Sequence, residues 1–206
     1  MPTRRTTVPT LTQLRRKIAV VDEEIVRALL QRSLLGKPPD AHDIRPVEDS
    51  HPAQTSAELA ALARHDYARL ALPALCEEVE ENPEASEEAD KRVIHAVTER
   101  LSLMTLVAAA KARSRSVAIH NLRATGNAAA LEKAITDAVV ESHVVTRAAA
   151  RAALLRQPGT PMDLPVRVAA VFREWIIPMA RRLQVQTLLA TPLRRKRSRR
   201  PKIGAS

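Results

Sequence analysis

Residues 100–111, RLSLMTLVAAAK, decide the fold. The run holds no glycine or proline and is rich in Leu, Ala and Met, so helix is its favoured conformation. A helix turns 100° per residue, which puts Arg100, Met104, Val107 and Lys111 in one stripe. Arg100 and Lys111 then stand about 20° apart in azimuth and about 16 Å apart along the axis. Two cations bracket an apolar strip. A buried cation needs a partner, which protein carboxylates or an anionic ligand can supply. The alternative is a stripe that faces water or pairs with acids of a neighbouring helix.

Working outward, this run belongs to a long helix predicted over residues 86–115. A first helix is predicted over 10–35, where Leu11, Leu14, Ile18, Val21, Ile25 and Leu29 recur at helical spacing. Gly36, Pro38 and Pro39 stop it. Residues 37–54 hold four prolines and read as a loop. A second helix is expected over 56–80, kinked or split at Pro73. After the long helix, a loop over 116–126 leads to another helix over 127–156. Residues 157–165, with three prolines and a glycine, form a linker. A last helix spans 166–190 with Pro178 inside it. The expectation is a single-domain all-α bundle over 10–190, with five or six main helices. A basic tail over 191–206 completes the chain.

Composition supports helices. Of 206 residues 45% are hydrophobic, enough for a core, yet aromatics are only 1% and glycines number four. No alternating strand pattern bounded by turn signals is present. Cys76 is the only cysteine, which excludes an intramolecular disulfide and a multi-cysteine metal site. The six histidines (His42, His51, His65, His95, His120, His143) lack ligand-like spacing. Residues 1–12 lack a signal-peptide core, and no apolar run is expected to reach the length of a membrane span. A cytoplasmic protein is expected. Seven positive charges sit in Arg194–Lys202, out of a net charge of +10. Such a run is usually a solvated end, though it can contact nucleic acid nonspecifically.

Further polar residues fall on helical faces. Asp137 and Glu141, four apart, lie beside Ala134 and Ala138, and Lys133 could pair with Asp137. Gln184 falls within about 40° of Ile177 and Ala180, which predicts partial burial and a need for partners. Arg15 sits between Leu11 and Ile18 at the edge of the first helix's apolar face, where it could simply snorkel to solvent. Together these groups offer cations, a carboxylate and an amide, a fitting pocket for a small dianion. No nucleophile–base pair, HExxH motif or phosphate-cradling glycine loop is present.

These residues resemble a known family. Leu14-Arg15-Arg16-Lys17-Ile18 through Asp22-Glu23-Glu24-Ile25 to Leu30-Gln31-Arg32-Ser33 resembles the opening helix of all-helical chorismate mutases. Residues 100–111 resemble their central helix, with Arg and Lys eleven apart. Residues 172–189 resemble their closing helix, internal proline included. The likeness runs with gaps from Leu11 to Ala190 and is nearest to the larger fungal and plant form.

The resemblance implies a cofactor-free, metal-free rearrangement of chorismate to prephenate, in a homodimer with the site within one chain. It implies that Arg15 and Arg100 hold the substrate carboxylates and that Lys111 and Gln184 donate to the ether oxygen. Glu141 would bind the ring hydroxyl, and Asp137 stands where an asparagine helps hold a carboxylate. Gln184 replaces a glutamate of the fungal form, and Ala180 replaces a small hydroxyl residue. Arg32 belongs to the helix motif but not to the substrate contacts. The insert after the first helix is short, and Glu84-Ala85-Ser86 replaces a Gly-Ser segment, so aromatic amino-acid regulation is not expected. Two rivals remain: an isochorismate-pyruvate lyase on the same scaffold, and a non-catalytic basic helical protein that binds nucleic acid.

Overall fold

The computed structural model describes residues 9–36, 55–77, 82–113, 117–158 and 160–192. Every regular element among them is helical. Helix α1 is Leu11–Ser33. Helix α2 runs without a break through Ser56–Asp66, a π-helical turn at Tyr67–Ala71 and a last turn at Leu72–Leu75. Helix α3 is Pro83–Arg113. Then follow α4, Val117–Thr125, α5, Ala128–Ile135, and α6, Ala138–Leu155. Helix α7 runs through Leu164–Val171, a second π turn at Phe172–Ile176 and Ile177–Ala190.

The sequence fixes the ends locally. Thr10 caps α1 and Thr55 caps α2, each through a capping box with Gln13 or Glu58 three residues on. Pro165 opens α7 at a position where a missing N–H costs nothing. The helix-internal prolines break neither α2 nor α7. Each follows a π turn, in which Leu72 N–H donates to Tyr67 O and Ile177 N–H donates to Phe172 O. The wider turn accommodates a residue that lacks an N–H and would clash with the carbonyl four residues back.

Two element boundaries require correction. Residues 117–125, expected as loop, are helix α4. Its β-branched and polar residues have modest helix propensity, and packing of Ile119 and Leu122 supplies the rest. Residues 127–156, expected as one helix, break at Thr136 and Asp137. Thr136 bonds back to the Glu132 carbonyl through its hydroxyl, and Asp137 restarts the helix by accepting from Val140 N–H. These short polar side chains compete with the helical backbone. Among the described residues, seven continuous helices stand where five or six main helices were expected. The loop over 37–54 and the tail from residue 193 onward lie outside the described residues.

Helix α3 is the centre. It is long and apolar enough to cross a membrane, contrary to the expectation that no such run exists, but over half of that window is buried inside the protein. Helix α1 packs antiparallel on it: Arg32 meets Asp90, and Asp22 meets Arg100. The main core draws on α1, α2, α3, α6 and α7. A smaller cluster of Ala108, Leu131, Ile135, Val185 and Leu188 seats α4 and α5 on the far ends of α3 and α7.

Arg32 is fully buried where α1, α2 and α3 meet. Its Nε donates to Asp90 at 2.6 Å, and Nη1 donates to the carbonyls of Leu35 and Gly36 at 3.0 and 2.8 Å. Tyr67 donates its hydroxyl to the same Asp90 oxygen. Burial, and then the Asp90 charge, push the Tyr67 phenol far above its ordinary pKa, so it stays a neutral donor. Replacing Arg32 by Ala should cost about 3 kcal/mol, because it empties a packed site and leaves Asp90 without its cation. Urea denaturation measures this, and an unchanged midpoint would contradict it.

Candidate active site

The stripe predicted on residues 100–111 faces inward. Arg100, Met104 and Val107 are buried, and Lys111 is half-buried. The main core ends at Met104, Val107, Ala180 and Leu183, and the smaller cluster begins at Ala108, Ile135 and Val185. Lys111 and Gln184 meet on this seam.

The Lys111 ammonium donates to the Ile135 carbonyl at 3.1 Å and to Gln184 Oε1 at 3.0 Å. An ammonium only donates, so it fixes the flip of the amide with oxygen toward Lys111. Gln184 Nε2 is then aimed at the Met104 thioether, 3.6 Å away, and the Ala180 carbonyl, 3.4 Å away. Both are weak bonds by length or by acceptor. The amide donor is held in place but poorly satisfied.

Burial lowers the Lys111 pKa, and the Arg15 charge lowers it further, while Asp137 and Glu141 oppose the shift. Arg15, Asp137 and Glu141 therefore share one electrostatic neighbourhood with Lys111, although Arg15 itself is exposed. Arg100 lies deeper. Only 4% exposed, it donates Nε to Asp22 Oδ1 at 2.7 Å. Its Nη1 is buried with no partner among the described residues. Arg147 on α6 donates to the other Asp22 oxygen, also at 2.7 Å.

The remaining expected residues are placed as follows. Glu141 pairs through Oε2 with Arg181 at 2.9 Å, rather than standing as an exposed acid. Asp137 is the N-cap of α6, not a residue on the face of a continuous helix, and its Oδ1 accepts from Val140 N–H at 3.1 Å. It reaches Lys111 through charge alone. Ala180 is buried beneath Gln184. Arg32 lies about 25 Å along α1 from Arg15, in a separate cluster. Two concavities open elsewhere. One of about 170 Å³ lies between the ends of α1 and α6, and one of about 430 Å³ lies between α1 and α3. Neither is lined by Arg15, Arg100 or Lys111.

Asp22, Arg147 and Arg181 were missed as single residues of interest. For two of them the signal was present. Asp22 falls among Ile18, Val21, Ile25 and Leu29, the buried face of α1. Arg181 falls on the line from Ile177 through Gln184 to Leu188. A charge at such a position is costly unless answered. Arg147 carries no comparable mark, because its side chain is half exposed.

Compared as a sequence, the chain matches no family model and no curated protein. Compared as a structure, it is similar to the chorismate mutase of Candida albicans solved in complex with L-Trp. The identity there is 17% and the TM-score 0.71, over 87% of this chain and 90% of that one. It is similar to the chloroplast chorismate mutase of Zea mays, with 18% identity and TM-score 0.71 over 90% of this chain and 97% of that one. It is also similar to AtCM1 solved with phenylalanine bound in an allosteric site. There the identity is 16% and the TM-score 0.72, over 90% of this chain and 98% of that one. The chain thus has the fold of the larger, fungal and plant all-helical chorismate mutases.

The charge of Arg15 disfavours the protonated form of Lys111. Arg15→Gln should therefore raise the Lys111 pKa toward its ordinary value. NMR titration of the lysine side chain tests this, and an unmoved midpoint would place Arg15 out of reach.

Proposed function

We propose that this chain is a chorismate mutase, converting chorismate to prephenate. The observation that carries the reading is the half-buried Lys111 ammonium, bonded to Gln184 and within electrostatic reach of Arg15. Arg100, buried on the same α3 stripe, adds an Nη1 donor with no partner among the described residues. Cations from α1 and α3 and an amide from α7 gather on a fold shared with enzymes of that name.

The reaction is a unimolecular rearrangement. The enolpyruvyl C–O bond breaks as a C–C bond forms, and no proton is transferred. A site without a nucleophile–base pair suits it. Catalysis then rests on two effects. Arg15 and Arg100 each grip a carboxylate and hold the side arm over the ring in its reactive conformer. Arg100 brings the Nη1 donor that Asp22 leaves unused. Lys111 and Gln184 Nε2 stabilise the negative charge that grows on the ether oxygen as the bond stretches. Glu141, steadied by Arg181, accepts the ring hydroxyl. Asp137 contributes through its charge and by starting α6. Because the second pair acts most strongly in the transition state, it raises kcat rather than lowering KM.

The proposal includes a homodimeric, cytoplasmic enzyme needing no cofactor, serving the synthesis of aromatic amino acids. Residues 10–190 form the catalytic domain, and the basic residues 191–206 take no part in turnover.

Chorismate mixed with the purified chain should be consumed as prephenate appears, and a chain that leaves chorismate unchanged refutes the reading. Lys111→Ala should cost kcat on the order of 100-fold to 1,000-fold with the fold retained, as for a lost preorganised donor. A near-normal kcat would remove Lys111 from the mechanism. Gln184→Glu should move the optimum to acid pH, where the carboxyl is protonated and can donate. An unchanged pH profile would show that residue 184 does not touch the ether oxygen.

A further inference from the structure

Arg181 lies one turn before Gln184 on α7 and contacts two helices at once. Its Nη2 donates to Glu141 on α6 at 2.9 Å, and its Nη1 reaches Glu132 on α5 at 3.3 Å. These two carboxylates flank the break at Thr136 and Asp137. The same break carries Ile135, the last residue of α5, whose carbonyl accepts from Lys111. Lys111 is thus held between the end of α5 and the amide of α7, and Arg181 is the ionic bridge between those two elements.

A surface arginine could serve two carboxylates with its remaining donor in water. Arg181 does not: its Nε is sealed from solvent and has no partner among the described residues. An unsatisfied buried donor is unfavourable. The guanidinium is drawn partly inward, between its acids and the seam, with Nε on the buried side. A planar fork can span two carboxylates in fixed geometry, which an ammonium cannot do.

We infer that Arg181 is a positioning residue for the site, fixing α5 and Glu141 against α7 so that Lys111 and Gln184 keep their mutual geometry. The inference rests on the proposed reading for its effect on turnover, but not for its effect on Lys111. Arg181 touches no group assigned to the reacting atoms. It acts through Ile135 and Glu141, so its loss loosens the ether-oxygen donors more than it weakens the grip of Arg15 and Arg100.

The test compares Arg181→Gln, Arg181→Lys and Glu132→Gln with the parent chain. Arg181→Gln should lower kcat about tenfold or more, as expected for misplaced groups, with KM changed less than about threefold. Arg181→Lys should recover only part, because it cannot span both acids. Glu132 is half-exposed, with 42% of its side chain accessible, so Glu132→Gln should fold normally and still lower kcat severalfold. The double variant Arg181→Gln with Glu132→Gln should be no worse than Arg181→Gln alone, the mark of a shared bridge.

A readout independent of turnover is the Lys111 titration followed by NMR. The charges facing Lys111 are Arg15 from α1, Asp137 and Glu141 at the start of α6, and Arg181 and Glu132 beyond them. Arg181→Gln leaves Glu141 less neutralised, so the Lys111 pKa should rise. A parent-like kcat and Lys111 midpoint in Arg181→Gln overturns the inference. So does full rescue by Lys, or strict additivity in the double variant. A parent chain inert toward chorismate refutes the proposed function alone, since the Lys111 midpoint still decides the role of Arg181.

Discussion

A guanidinium sealed inside a bundle of helices must be answered by an acid, and Asp22 answers Arg100. The pair joins the middle of α1 to the middle of α3 at 2.7 Å, with both side chains almost wholly buried. Arg147 adds α6 from the other side of the same carboxylate. Three helices are thereby registered against one another at a point where apolar packing alone would permit sliding. Such pairs contribute little net stability over a hydrophobic equivalent, yet losing one partner is severe. Here the pair also aims the arginine: with Nε committed to Asp22, its Nη1 is left as the donor for another anion.

The two ends of α1 repeat this theme with different outcomes. At its C-terminal end, Arg32 is satisfied by Asp90 and by two carbonyls that end the helix. That cluster closes on itself and is structural. Near the N-terminal end, Arg15 is exposed and acts on Lys111 only through its field. One helix thus carries a finished ionic joint and an unfinished one, and the unfinished one marks the candidate site.

Much of this was legible in the sequence. The stripe from Arg100 to Lys111 left two readings open, an anion-holding interior face or a face that meets water or a neighbour's acids, and Asp22 of α1 answers Arg100 as the second allowed. The half-burial of Gln184 followed from its azimuth. What was not legible was set by tertiary contacts. The break before Asp137 turns a residue expected on a helix face into a cap; Thr136 and Asp137 are weak helix formers, but one such pair does not by itself end a helix. Helix α4 exists because Ile119 and Leu122 find a partner surface, which their local spacing does not reveal. The partner of Glu141 came from α7, forty residues away, which no local spacing reveals.

The two π turns have a consequence for what the chain can tolerate. A π turn is an α-helix with one residue inserted, so everything beyond Phe172–Ile176 is rotated by about 100° relative to an unbroken helix. Trimming a single residue from that segment would leave helix content and composition almost unaltered. It would nonetheless swing Arg181 and Gln184 together off the seam and present their neighbours to Lys111 instead. The chemistry of the closing helix therefore depends on an odd count upstream, a dependence on length that no inventory of conserved side chains would disclose.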